Sequence, residues 1–169
     1  MRPAHRKAVM QTLIVMSLFV VLASSYWLLV RTPYLTADAA LEAFYGGEPR
    51  TECMQAAPLR RHGANVVPLV VRDLPDKAMP RRRYAIGFLG EGKYQAALPA
   101  LEKIVLDDAE RFYFKADALQ AIYNISPSRG TELAKVLKSR PHPDDPFGHV
   151  ARIVAGVEAR NLKYLSGCD

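Results

Sequence analysis

A short segment of this chain returns 33 residues later. Tyr84-Ala85-Ile86-Gly87-Phe88-Leu89 is matched in pattern by Asp117-Ala118-Leu119-Gln120-Ala121-Ile122, with Ala85 falling on Ala118. Each segment leads through a polar turn into a second apolar-periodic stretch, Ala97-Leu98 to Val105 and then Leu133 to Leu137. A pair of amphipathic helices repeating at this period cannot bury its apolar faces alone, so neighbouring pairs must stack. The expectation is an all-α chain, an α-solenoid of about three helix pairs. Such stacks present extended surfaces to other macromolecules more often than they enclose chemistry.

The punctuation residues divide the chain further. Thr36-Ala37-Asp38 opens a short helix that Gly46-Gly47 stops. Thr51 starts the next, with Met54, Ala57 and Leu59 expected inward, and Gly63 breaks it before the apolar run Val66 to Leu74. That run is rich in β-branched residues, but Pro68 stands inside it and argues against a strand. Pro68 and Pro99 occupy the same place, each two residues ahead of Val70 or Leu101, where a first helical turn tolerates proline. A helix from Arg81 to Leu89 is followed by one from Tyr94 to Leu106. The third pair covers about Ala109 to Ile125 and Ser128 to Lys138, with Pro127 at the turn. Prolines 141, 143 and 146 make a loop, and a last helix runs from about Phe147 to Leu165. Leu101, Ile104, Leu119 and Ile122 are the expected core.

These features resemble HEAT-type repeats, especially the short bacterial and phycobilin lyase-like variety. Arg82 with Ala85 and Leu89-Gly90, then Ala97-Leu98-Pro99 with Leu101, and Asp107-Asp108 carry the likeness. Phe114-Lys115 with Ala118-Leu119 stands where that family places a Val-Arg followed by Ala. The resemblance covers about residues 51–137 and implies helix packing, with no cofactor. Tetratricopeptide repeats fit Gly92-Lys93-Tyr94 and Ala97, then fail at Ile104, Ala109 and Thr131.

From Ala8 to Val30 no side chain is charged. About 20 apolar residues cross a hydrocarbon layer of about 30 Å, which predicts a transmembrane helix over 8–30. A cleaved signal peptide is the alternative, with Ala23-Ser24-Ser25 as a cleavage site, although Tyr26-Trp27-Leu28-Leu29-Val30 resumes the apolar character. Arg2, Arg6 and Lys7 place the N-terminal tail, 1–7, in the cytoplasm. The expected location is therefore the inner membrane, single-pass, with the C-terminal domain periplasmic. Residues 31–50 form a linker with a short helix, 51–139 the repeats, and 140–169 the Pro-rich loop and C-terminal helix. Because Arg2, Arg6, Lys7 and Arg31 supply much of the net +6, the rest of the chain is nearly balanced and nucleic acid is not the expected partner.

Cys53 and Cys168, the only cysteines, are candidates for a disulfide in an exported domain. The pairing requires the last helix, about 28 Å long, to run back along the stack to the first unit. No His-Glu pair of the iron-binding HEAT type occurs, and His142, Asp144, Asp145 and His149 match no metal spacing. No phosphate loop or nucleophile elbow is present. The chain reads as a protein-binding adapter and not an enzyme, beside a protein partner at the membrane and a bilayer contacted through 8–30. The alternative is an enzyme or enzyme-maturation factor of the lyase-like kind. Arg81, Arg82, Arg83, Tyr84 and Tyr94 are the candidate partner-binding residues. Phe112, Tyr113, Phe114 and Tyr123 extend the aromatic group, any exposed member of which suits a hot spot.

Overall fold

A computed structural model describes residues 3–31, 36–47, 51–140, 145–146 and 148–160, without the side chains of 3–12, 28–31 and 52–53. The described residues are helical, with no strand among them.

Helix α1 spans Pro3–Arg31. Its described side chains, Leu13 to Trp27, are all exposed. Among the described residues no helix is long and apolar enough to cross a membrane. The transmembrane helix expected over 8–30 is therefore not supported. The single-pass inner-membrane placement and the periplasmic C-terminal domain rested on that helix and fall with it.

Helix α2, Ala37–Gly46, begins as its residues dictate: Thr36 is extended and its hydroxyl accepts from the Ala39 amide at 3.1 Å. Its Ala40, Leu41 and Phe44 are buried. The next helix is broken into α3, Glu52–Gln55, and α4, Ala57–His62, where Pro58 sits in a first turn. Thr51 makes no side-chain cap and Met54 is exposed, while Leu59 is fully buried, so only part of the inward stripe expected there forms. Helices α5, Val67–Asp73, and α7, Leu98–Leu106, each follow a short 3-10 turn and each carry proline in the first turn. The two prolines do play the same structural part. The 3-10 turns at Gly63–Val66 and Gln95–Ala97 shorten both helices relative to the apolar pattern.

Three helices share one register. In α6, Arg82–Glu91, the buried set includes Arg82, Ile86 and Leu89. In α8, Phe112–Ile125, it includes Lys115, Leu119 and Ile122. In α10, His149–Glu158, it is Val150, Val154 and Val157. Each set has the spacing i, i+4, i+7 of one helical stripe. Helix α8 is central, packing against α6, α7, α10 and α9, Pro127–Lys138. Leu101, Leu119 and Ile122 are inaccessible and Ile104 nearly so, as expected.

Helix α10 packs on α8 and α9, extending the set instead of returning toward α2. It ends at Glu158, short of the expected Leu165. The Cys53 side chain and Cys168 lie outside the described residues, and so does the proposed bridge.

Gly130 marks where α9 crosses α8. A Cβ there would lie 2.6 Å from the Tyr123 Cα and 2.7 Å from its Cβ. Alanine normally improves a helix interior by about 1 kcal/mol over glycine, yet here it must push two backbones apart. Gly130→Ala is expected to destabilise by about 1–3 kcal/mol in a urea melt.

Candidate functional site

Several polar side chains among the described residues tie together positions about one repeat apart. Arg60 forms a bidentate pair with Glu91, at 2.7 and 2.8 Å. Lys77 Nζ reaches Asp107 at 2.7 Å and the Ala109 carbonyl at 3.1 Å. Arg83 reaches Asp117 at 2.8 Å, and Asn124 donates to the Gly90 carbonyl at 2.7 Å. Gln95 donates to the Ile125 carbonyl at 3.2 Å, and Arg140 reaches Asp108 at 2.9 Å. Their separations run from 30 to 34 residues. Most are exposed and each is worth little alone, so their role is to set register.

The buried exception is Arg82. Its Nε donates to the Leu74 carbonyl at 2.8 Å and its Nη1 to Glu110 Oε2 at 2.7 Å. The guanidinium carbon lies 4.9 Å from the centre of the Phe114 ring. The other Glu110 oxygen accepts from the Arg111 amide at 3.1 Å. With the two side chains 2% and 3% exposed, this pair is sealed from water.

The five residues expected to form a partner surface are dispersed. Arg81 takes a left-handed backbone, φ 56°, and its guanidinium donates to the carbonyls of Phe44 and Gly47. Arg82 points inward, and Arg83 points outward to Asp117. Successive helical residues diverge by about 100°, so three adjacent arginines cannot share one exposed face. Tyr84 is half-buried against the core, and Tyr94 packs on Phe88 with ring centres 5.2 Å apart. Arg82 in particular is unavailable to a partner.

A different group does come together at the starts of α8 and α10. The Phe112 ring stacks on His149 at 5.7 Å, the planes 19° apart. Tyr113 meets Phe112 edge-on at 5.5 Å and Phe114 at 4.4 Å. Arg111 donates to the Tyr113 hydroxyl at 2.9 Å, and Arg152 lies 2.6 Å from His149 Nδ1. Arg111 and Arg152 are exposed, and the three aromatic rings are half-buried. The aromatic run Phe112-Tyr113-Phe114 was legible in the sequence. Its junction with His149 was not, because it depends on α10 docking beside α8.

The carboxylates around this group are already engaged. Glu110 holds Arg82, and Asp145 accepts from the amides of His149 and Val150 at 2.9 and 2.8 Å, capping α10. Burial pushes the Asp117 carboxyl up, and Arg83 pulls it part of the way back. The hydrogen bond from Lys77, aided by the Ala109 amide, holds the Asp107 carboxyl below its usual range.

Lys115 stands one repeat after Arg82 and is likewise buried, at 5%. Among the described residues no hydrogen bond or ion pair secures its ammonium, and Asp107 acts on it only at longer range. Its stem lies in the core while the ammonium keeps contact with solvent. Lys115→Met, which keeps the buried stem and removes the charge, is expected to change stability by less than about 1.5 kcal/mol in a thermal melt.

Among the described residues no three His, Cys, Asp or Glu side chains gather to hold a metal ion. His142 and Asp144 lie outside the described residues. No protein-family model, curated protein or solved structure matches this chain.

Proposed function

We propose that this chain is a protein-binding adapter, a short stack of helix units of the HEAT-like kind, and not an enzyme. The observation that carries the reading is the set of ties 30 to 34 residues apart, from Arg60–Glu91 to Arg140–Asp108. These ties use the polar groups to hold unit against unit. They leave a surface built for contact along the stack, the usual use of such architectures. Arginine and aromatic side chains, which dominate binding hot spots, concentrate at one place on it.

The test is quantitative co-purification of the full chain from its native cell, followed by reconstitution with the purified candidate. A single protein recovered near equimolar amounts that re-forms a complex in sedimentation experiments is the expected result. Recovery of no protein that re-forms a complex, together with turnover of a small molecule, would replace the adapter with an enzyme.

A further inference from the structure

We infer that the starts of α8 and α10 form a docking surface for an acidic, aromatic-containing segment of a protein partner. This rests on the adapter reading and names its binding site and the chemistry of what binds.

Arg60, Arg72, Lys77, Arg82, Arg83, Arg129, Lys138 and Arg140 are each paired with a carboxylate. Arg111 and Arg152 are instead hydrogen-bonded to a tyrosine hydroxyl and an imidazole nitrogen, which neutralise nothing. Among the described carboxylates of this region, Glu110 is hydrogen-bonded to Arg82 and acts on Arg111 only through space, Asp117 is held by Arg83, and Asp145 by the α10 amides. Lys115, one turn after Arg111 on α8, has a buried stem and no hydrogen-bonded partner among the described residues, and only Asp107 acts on its ammonium, at longer range. Among the described residues, no ion pair balances the charge of Arg111 or Arg152.

Shape and surface chemistry narrow the partner. The Tyr113, Phe112 and His149 rings link the two guanidinium groups, each within 5.7 Å of the next, with Phe112 stacked on His149 and Tyr113 standing edge-on to Phe112. Carboxylates of a bound segment would pair with the planar guanidinium forks of Arg111 and Arg152 in the bidentate way that geometry favours. An apolar or aromatic side chain between them would lie on Phe112 and Tyr113, gaining contact area beyond the ion pairs. Nucleic acid carries the same charge, but many cations elsewhere on the stack are held by carboxylates. The unpaired ones among the described residues, such as Lys103 and Lys135, stand on other helices without forming the extended basic track that a phosphate backbone follows.

The experiment uses the full chain and a fluorescein-labelled ten-residue peptide of Asp and Glu with one central Phe, read by anisotropy. Binding that Arg111→Glu/Arg152→Glu weakens at least tenfold is expected. Lys103→Glu/Lys135→Glu, which changes charge equally on α7 and α9, should change binding less than twofold. Equal loss with both double variants would reduce the effect to bulk electrostatics and overturn the proposal. Absence of binding to the peptide would overturn it as well. A single-stranded oligonucleotide that binds more tightly than the peptide, with the same dependence on Arg111 and Arg152, would give the surface to nucleic acid instead. The co-purified partner separates the two readings: if it still binds the Arg111→Glu/Arg152→Glu chain at full strength, the adapter stands and this surface does not.

Discussion

Truncating Glu110 to alanine is expected to cost about 3–5 kcal/mol in a reversible denaturant melt, among the largest effects of any single substitution in the chain. The Glu110 side chain is 3% exposed and accepts from both Arg82 and the Arg111 amide. Its removal leaves a guanidinium that is 2% exposed with only the Leu74 carbonyl and the Phe114 ring to face. Neither can neutralise a charge taken out of water. The pair itself is a different matter, because its attraction does little more than offset the desolvation of two ions. Replacing both partners, Arg82→Met with Glu110→Leu, is therefore expected to recover stability to within about 1–2 kcal/mol of the natural chain. A double variant as unstable as Glu110→Ala would mean that the guanidinium is needed for its hydrogen bond to Leu74 and its ring contact, and not merely tolerated.

Leu119→Ala is the second large effect, expected at about 2–5 kcal/mol. Leu119 is inaccessible to solvent and lies on α8, the helix that packs against α6, α7, α9 and α10. A cavity at this position borders several elements at once, and they cannot all collapse into it. Loss should be cooperative, with one transition for the far-ultraviolet signal and for tryptophan-independent probes of α6 and α10. A melt that moves by less than about 1 kcal/mol would show that α8 is not the centre of the packing.

The sequence was most legible where apolar spacing and proline agree. Leu101, Leu119 and Ile122 follow from helical periodicity alone, and Pro68 and Pro99 mark equivalent first turns. Thr36 followed by apolar residues gave the start of α2. What escaped was decided by tertiary contact. Arg82 reads as a surface cation, and nothing local says that Glu110, 28 residues on, will seal it inside. Lys115 hides for the same reason, occupying a core position in a stripe with Leu119 and Ile122. The arginine run 81–83 looked like one patch because its charges are adjacent in sequence, whereas a helix start sends them to α2, to Glu110 and to Asp117. The apolar run near the N-terminus gave a helix, but not the membrane span expected from it.

The Arg111–Arg152 surface was half visible. The aromatic triplet 112–114 was present in the sequence, while the His149 stack and the commitment of Glu110, Asp117 and Asp145 to other groups required the fold. A residue's availability depends on what its neighbours already hold, and spacing alone does not carry that information.

Backbone amide chemical-shift mapping of the full chain during titration with the Phe-containing acidic peptide addresses the whole reading at once. Shifts concentrated at 111–117 and 148–153, with α7 and the second half of α9 unmoved, are the expected result. Shifts centred on α7 and α9, or spread evenly over every helix, would contradict a binding surface at the starts of α8 and α10.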